Sequence, residues 1–500
     1  MHYVSLIVEF LRGRPAAVFW TAALAQAVLW TFVPSLIYSA PPGGVPMLLA
    51  IGHEFMLGSY LGPPLAFWLG EVAYRAGGAF GLYALAQACI VVTYWAVFTL
   101  GRAIVGTRHA VLAVLLMVGI ATFTVSSAEF GPALLAAPFW ALALLHYWRA
   151  IGEDRRGYWF LLAIDLGLLL LSNYIGLILL LLILLFTLSN KRGLLALRHP
   201  EPWVAMLLTM IVLFPHALWL YEKYALVHAG LDDNVAIAGR LPPGLWLAVT
   251  LVAVHLGLLL LIVLASGWPR PRRVRAPAID RNPVEPFARQ FVYVFAVVPS
   301  AVAVALAFVS GRLGPLASLA PLVTLSGLAV IVAAGDQVLL YRERLVSTAW
   351  VCLLIVPPAL VVAGITMLPW VIDVDPQVAL PAKAEGRFFG DTFQRRTGSP
   401  LAYVSGDERV APLIALGAPS RPHVFFSWEP ERSPWATAAD VRNKGGVLVW
   451  PANGKVTPPD ELKAQFPEMV PEVPRSFTRE VQGLLPTIHL GWSMLRPKAP

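Results

Sequence analysis

Long apolar runs separated by short polar breaks dominate the chain. An α-helix needs roughly 17–25 apolar residues to cross a bilayer. Runs of that length fall at 16–36, 80–100, 110–127, 132–148, 158–173, 174–190, 203–221, 245–266, 289–310, 315–335 and 346–368. About eleven spans are therefore expected, the fifth and sixth separated only by Ser172-Asn173-Tyr174. After about Pro369 the pattern changes. Short apolar runs, Leu401 to Ser405, Val424 to Ser427 and Val447 to Trp450, alternate with Pro, Gly and charged residues, as short strands between turns do. The expected fold is a polytopic α-helical membrane protein with about 11 transmembrane helices over residues 1–369. A small C-terminal extracytoplasmic α/β domain follows over 370–500.

Composition agrees with that pattern. The chain is 58% hydrophobic and 13% charged, with a mean hydropathy of +0.70; soluble domains carry about a quarter charged residues. Cys89 and Cys352 both sit in apolar runs, which speaks against a disulfide framework or a zinc site. No leader with a small-residue cleavage site is visible, and the first run is long enough to remain as a span.

The net charge of +8 is distributed as topology signals are, so nucleic acid is not an expected partner. With the N-terminus in the cytoplasm, the inner connections collect eighteen Lys or Arg residues before the tail. They include Arg12, Arg14, Arg102, Arg108 and the linker arginines between Arg270 and Arg281. The outer side holds only four: Arg75, Lys223, Arg240 and Arg312. The basic linker WPRPRRVRAPAIDRNP suits contact with anionic headgroups. The expected topology is multi-pass, with the N-terminus cytoplasmic and the C-terminal domain on the outer side.

Candidate chemistry then gathers on the outer side. Residues 37–79 form the first outer loop, with His53, Glu54, Tyr60 and Trp68 inside GHEFMLGSYLGPPLAFWLGE. Glu129 follows the third span, Asn173 and Tyr174 lie between the fifth and sixth, and Trp219, Glu222 and Lys223 end the seventh. Glu54 reads either as a solvated loop carboxylate or as a candidate base, since a carboxylate held within hydrogen-bond reach can take a proton from a hydroxyl. Pro63 and Pro64 suit a helix start, where the first turn needs no N–H partner. Asp232-Asp233 is a poor metal signal; no firm ligand cluster is present, no cofactor is expected and a divalent metal lacks support. Asp165 falls mid-span. An interhelical hydrogen bond to a Ser, Thr or Tyr explains it better than a proton relay, and His146 and His255 read as packing residues.

The loop resembles the first outer loop of bacterial family 39 glycosyltransferases. These belong to the GT-C superfamily and are related to protein O-mannosyltransferases and the lipid A aminoarabinose transferase. AEFGPALLAAPFWALAL, LLLLSNYIGLILLLL, RHPEPWVAML, LFPHALWLYE and FQRRTGSPLAYVSGD agree in order. The resemblance implies transfer of a sugar from a polyprenyl-phosphate donor to a lipid, glycan or protein acceptor on the outer face. The anomeric centre inverts, and Glu54 acts as general base. It also implies roles for Glu129 and Tyr174; His53, Tyr60, Trp68, Asn173, Trp219, Glu222 and Lys223 are the further candidates for substrate contact. The chain departs from the family at two places. Many relatives have Lys-Tyr where this chain has Asn173-Tyr174, and Asn-His where it has Gly131-Pro132. A catalytically degenerate relative serving as a scaffold or glycolipid binder, and a transporter, stay open beside the enzyme reading.

Overall fold

The computed structural model describes residues 9, 13–227, 241–267, 278–372, 375–427, 429–452 and 457–498. Arg12, Asp232, Asp233, Arg240 and the linker arginines Arg270, Arg272, Arg273 and Arg275 lie outside the described residues.

Among the described residues, 6 helices are long and apolar enough to cross a membrane: Pro15–Ile37, Leu65–Val105, Pro132–Ile151, Glu201–Glu222, Pro286–Ser310 and Glu343–Trp370. The number rises to 8 if each of two bent pairs is one span. Thr107–Met117 and Ala121–Ala128 meet at 83°, and Pro243–Val254 and Leu256–Ser266 at 45°. The chain is thus a multi-pass membrane protein. Tyr158–Ser172, Gly176–Ser189 and Leu319–Ala333 are shorter apolar helices at the positions of the fifth, sixth and tenth expected spans. At about 1.5 Å rise per residue they fall short of a hydrocarbon core of about 30 Å.

The chain divides into two compact units. The helical unit draws on Met1–Phe32, Leu61–Leu65 and Tyr83–Pro358; the loop–sheet unit draws on Val33–Tyr60, Ala66–Leu82 and Ala359–Pro500. Residues of the first loop fall in the same unit as the C-terminal segment.

In the helical unit, apolar burial is organised by aromatic rings. Tyr147 lies 6.0 Å from Phe291 and 5.9 Å from Phe295, and its hydroxyl is 2.7 Å from Thr187 Oγ1. Several polar groups are paired between helices, as an apolar surround favours. Tyr94 donates to Gln26 Oε1 at 3.1 Å, and His255 Nε2 is 2.8 Å from Ser326 Oγ. His146 Nδ1 lies 2.5 Å from Asp165 Oδ2. The expected interhelical bond of Asp165 therefore exists, but its partner is a histidine, not a Ser, Thr or Tyr. A largely apolar cavity of about 1210 Å³ lies between Thr21, Leu112, Ile262, Val338 and Trp350.

The loop–sheet unit is built on a five-stranded mixed sheet. Its strands are β3 (Tyr403–Gly406), β4 (His423–Phe425), β5 (Gly446–Pro451), β6 (Arg475–Phe477) and β7 (Ile488–Leu495), numbered after the two-stranded β1 (Ala278–Asp280) and β2 (Gln337–Leu339) of the helical unit. The order is β4-β3-β5-β7-β6; β3 is parallel to β4 and β5, and β7 is antiparallel to β5 and β6. β3 and β5 are buried on both faces, which accounts for their near-continuous apolar sequence. Tyr403, Phe425, Leu448, Trp450, Phe466 and Leu495 make one core cluster. The register sets Tyr403 beside His423.

Candidate functional site

The loop opens with the helix Val45–Gly52, which starts at Gly44 with a proline in its first turn. It packs on the helix Ala411–Gly417 and on β4. Gly52 permits this arrangement: a Cβ there would stand 2.4 Å from the Phe67 carbonyl oxygen and 3.1 Å from Glu71 Cβ. The chain leaves the helix with Phe55 at φ 49, in the left-handed region. That conformation costs an L-residue about 1–2 kcal/mol. The described residues with positive φ, glycine aside, are Phe55, Asp154 and Arg421, and two of them flank the site. Strain of this kind persists where the surroundings over-determine the backbone.

Glu54 stands in this turn with its side chain 8% exposed. Its Oε1 lies 2.7 Å from His423 Nδ1 on β4. An ionised carboxylate only accepts, so Nδ1 carries the hydrogen. Glu54 Oε2 has no protein hydrogen bond among the described residues. The His423 ring is 42% exposed and lies 5.3 Å from the ring of His53 and 5.4 Å from that of Tyr403.

Beside this pair lies a charge cluster centred on Glu71, whose side chain is fully buried. Arg75 Nε donates to Oε1 at 2.8 Å and Arg421 Nη2 to Oε2 at 2.7 Å. His53 Nδ1 lies 3.2 Å from both Glu71 Oε1 and Arg75 Nη2. Arginine can only donate and an ionised carboxylate can only accept, so Nδ1 serves one of the two at a time: it donates to Glu71 when protonated and accepts from Arg75 when not. Arg75 also covers the Phe55 ring at 5.1 Å, and Arg421 covers Tyr74 at 4.9 Å. Arg75 is half exposed and is the cation of this cluster most open to an incoming anion.

Tyr60 and Trp68 are in the same unit. The Trp68 indole N–H donates to the Met56 carbonyl at 2.8 Å, which ties the loop to the following helix. Tyr60 is buried under Arg432, whose guanidinium lies 4.7 Å over its ring. Burial, helped by the charge of Glu408 and opposed by Arg432, pushes the Tyr60 hydroxyl up to about 12. Both side chains therefore frame the loop. The helix begins at Leu65, directly after Pro63-Pro64, and breaks at Gly77 and Gly78, where Gly78 takes φ 59.

The remaining candidates fall in the helical unit. Glu129 is exposed, and the helix Pro132–Ile151 starts at Gly131 without a side-chain cap. Asn173 is buried and committed to structure: its Nδ2 donates to Ser318 Oγ at 2.8 Å, and its Oδ1 accepts from the Ile175 N–H at 2.9 Å. It bridges the break between two short helices. The Tyr174 hydroxyl is 3.1 Å from His216 Nε2, and His216 stacks on the buried Trp219. Glu222 and Lys223 end their helix exposed. Glu71, Arg421 and His423 were not anticipated. Glu71 and Arg75 do carry a readable mark, the i,i+4 spacing of an acid and a base in an apolar helix. Among the described residues, no group of three or more His, Cys, Asp or Glu side chains is placed to hold a metal ion.

This loop and the helices after it can be compared with known families. Residues 62–219 match the family model for dolichyl-phosphate-mannose-protein mannosyltransferase. That match bears out the resemblance to GT-C glycosyltransferases related to protein O-mannosyltransferases. The mannosyltransferase-like segment begins eight residues after Glu54 and ends at Trp219. ArnT from Cupriavidus metallidurans, solved bound to undecaprenyl phosphate, is 14% identical over 97% of this chain and 99% of its own, with a TM-score of 0.46. The oligosaccharyltransferase AglB from Archaeoglobus fulgidus, solved with an inhibitory peptide and a dolichol-phosphate, is 14% identical. That similarity covers 83% of this chain and 65% of AglB, with a TM-score of 0.44. No curated protein matches the chain.

Proposed function

We propose that this protein is an integral-membrane glycosyltransferase that moves a sugar from a polyprenyl-phosphate donor to a lipid, glycan or protein hydroxyl, with Glu54 as general base. The observation that carries the reading is the Glu54 carboxylate, held at Oε1 by His423 and without a protein hydrogen bond at Oε2 among the described residues, eight residues ahead of a mannosyltransferase-like segment. In the reaction the acceptor oxygen bonds to the anomeric carbon as its proton passes to Glu54 Oε2. The bond from that carbon to the phosphate oxygen breaks, and polyprenyl phosphate leaves with the electron pair. Arg75 is the phosphate partner favoured by exposure and by its place in the unit of Glu54. This relieves the chain of the lysine that many relatives carry at position 173.

The site faces the periplasm of a bacterial inner membrane, with residues 37–79 as the catalytic loop and 370–500 as the periplasmic domain. Glu129, Tyr174, Trp219, Glu222 and Lys223 remain candidate contacts for donor or acceptor. Glu54→Gln tests the reading: it keeps the loop's shape and removes the base. Loss of the envelope product at an unchanged protein level supports it, and an unchanged product rate refutes it.

A further inference from the structure

The proposed base has a partner that arrives from 369 residues away in the chain. His423 begins an edge strand of the sheet and directs Nδ1 at Glu54 Oε1. Two features make this more than a surface ion pair. The Glu54 side chain is nearly buried, so the bond is shielded from water at the carboxylate end. The approach to His423 also runs through a strained residue, Arg421 at φ 49, whose own side chain is anchored on buried Glu71. The sheet therefore delivers the imidazole to the loop from a fixed strand end.

We infer that His423 is a positioning residue for Glu54: its Nδ1–H holds Oε1, so that Oε2 is the oxygen presented to the acceptor hydroxyl. This deepens the reading above and rests on it. The groups that face His423 and share its field are Glu54, the His53 ring, the Tyr403 ring with Lys444 Nζ 5.9 Å from it, and Arg421 two residues earlier in the chain.

The test is a rate measurement on the full chain in membrane vesicles of an expressing strain. The endogenous polyprenyl-phosphate sugar pool is the donor. The product is the glycoconjugate mass that the deletion strain lacks. His423→Asn keeps a donor near the Nδ1 position and cannot titrate; His423→Gln moves the donor toward the Nε2 position; His423→Leu has none. The expected result is a rate within about threefold of wild type for Asn. For Gln and Leu the expected loss is about ten- to a hundredfold, the range of one charge-assisted hydrogen bond. Thermal unfolding of each variant checks that the fold is kept, and the Asn–Gln contrast stands even if Leu misfolds. Wild-type rates in both Gln and Leu, with Glu54→Gln inactive, overturn the role of His423 and leave the function standing. A fully active Glu54→Gln overturns Glu54 as the base, and the role of His423 with it.

Discussion

Glu71→Ala is the sharpest structural perturbation of the site. Glu71 has no exposed side-chain surface, and it accepts from Arg75 at 2.8 Å and Arg421 at 2.7 Å. The pairing alone says little about net stability, because desolvation offsets much of the attraction. Removing Glu71 is different: it leaves Arg421, 23% exposed, and Arg75 side by side without the carboxylate they share. Truncations of that kind cost about 3–5 kcal/mol. Arg75 is 52% exposed, and its removal costs about 1 kcal/mol or less, since Arg421 still serves Glu71 and water solvates the rest. The expected order of destabilisation is Glu71→Ala, then Arg421→Ala, then Arg75→Ala. Denaturant titration of the full chain in detergent, followed by tryptophan fluorescence, measures it. A loss under about 1 kcal/mol for Glu71→Ala, or one no larger than for Arg75→Ala, would refute the account of Glu71 as the electrostatic centre of the loop.

Other predictions address separate parts of the structure. Burial pushes Glu385 up to about 7 from an ordinary 4.5, with Arg479 pulling the other way. Its native value is raised, so the contribution of the neutral acid is fully present below about pH 4.5 and is lost as pH rises to about 7. The loss is about 3 kcal/mol, and Glu385→Gln should flatten that slope in unfolding curves taken across the window. Gly52→Ala should destabilise by about 1–3 kcal/mol through overpacking against the Phe67 carbonyl, and should lower product formation by displacing Glu54; wild-type melting of this variant would contradict the packing. Asp165→Asn should leave glycosyl transfer intact, because its partner is His146 within the helices; substrate uptake that disappears with Asp165 would favour a transporter.

Much of the architecture was legible because burial leaves a periodic trace. The apolar runs at 16–36, 132–148, 203–221 and 289–310 are helices, and the three short apolar runs after Pro369 coincide with β3, β4 and β5. Hydropathy does not register helix direction, so the 83° bend near Gly119 was hidden inside one apolar run. Asn173 looked like a replaced phosphate partner, whereas its amide closes a helix junction. The site itself was half legible. Glu54, His53 and the loop could be read from polar residues placed between apolar runs. Their partners His423 and Arg421 could not, because a pairing across 350 or 369 residues leaves no local pattern. Glu71 was visible as an acid in an apolar helix, but its role depends on those distant partners.

The most direct measurement is quantitative mass spectrometry of envelope glycoconjugates from a deletion strain complemented with wild type or with Glu54→Gln, at matched membrane levels. General-base removal predicts a product rate about 10²–10⁴-fold lower for the variant, with the polyprenyl-phosphate sugar accumulating. Equal product in the two strains would contradict the assignment of Glu54 as the base.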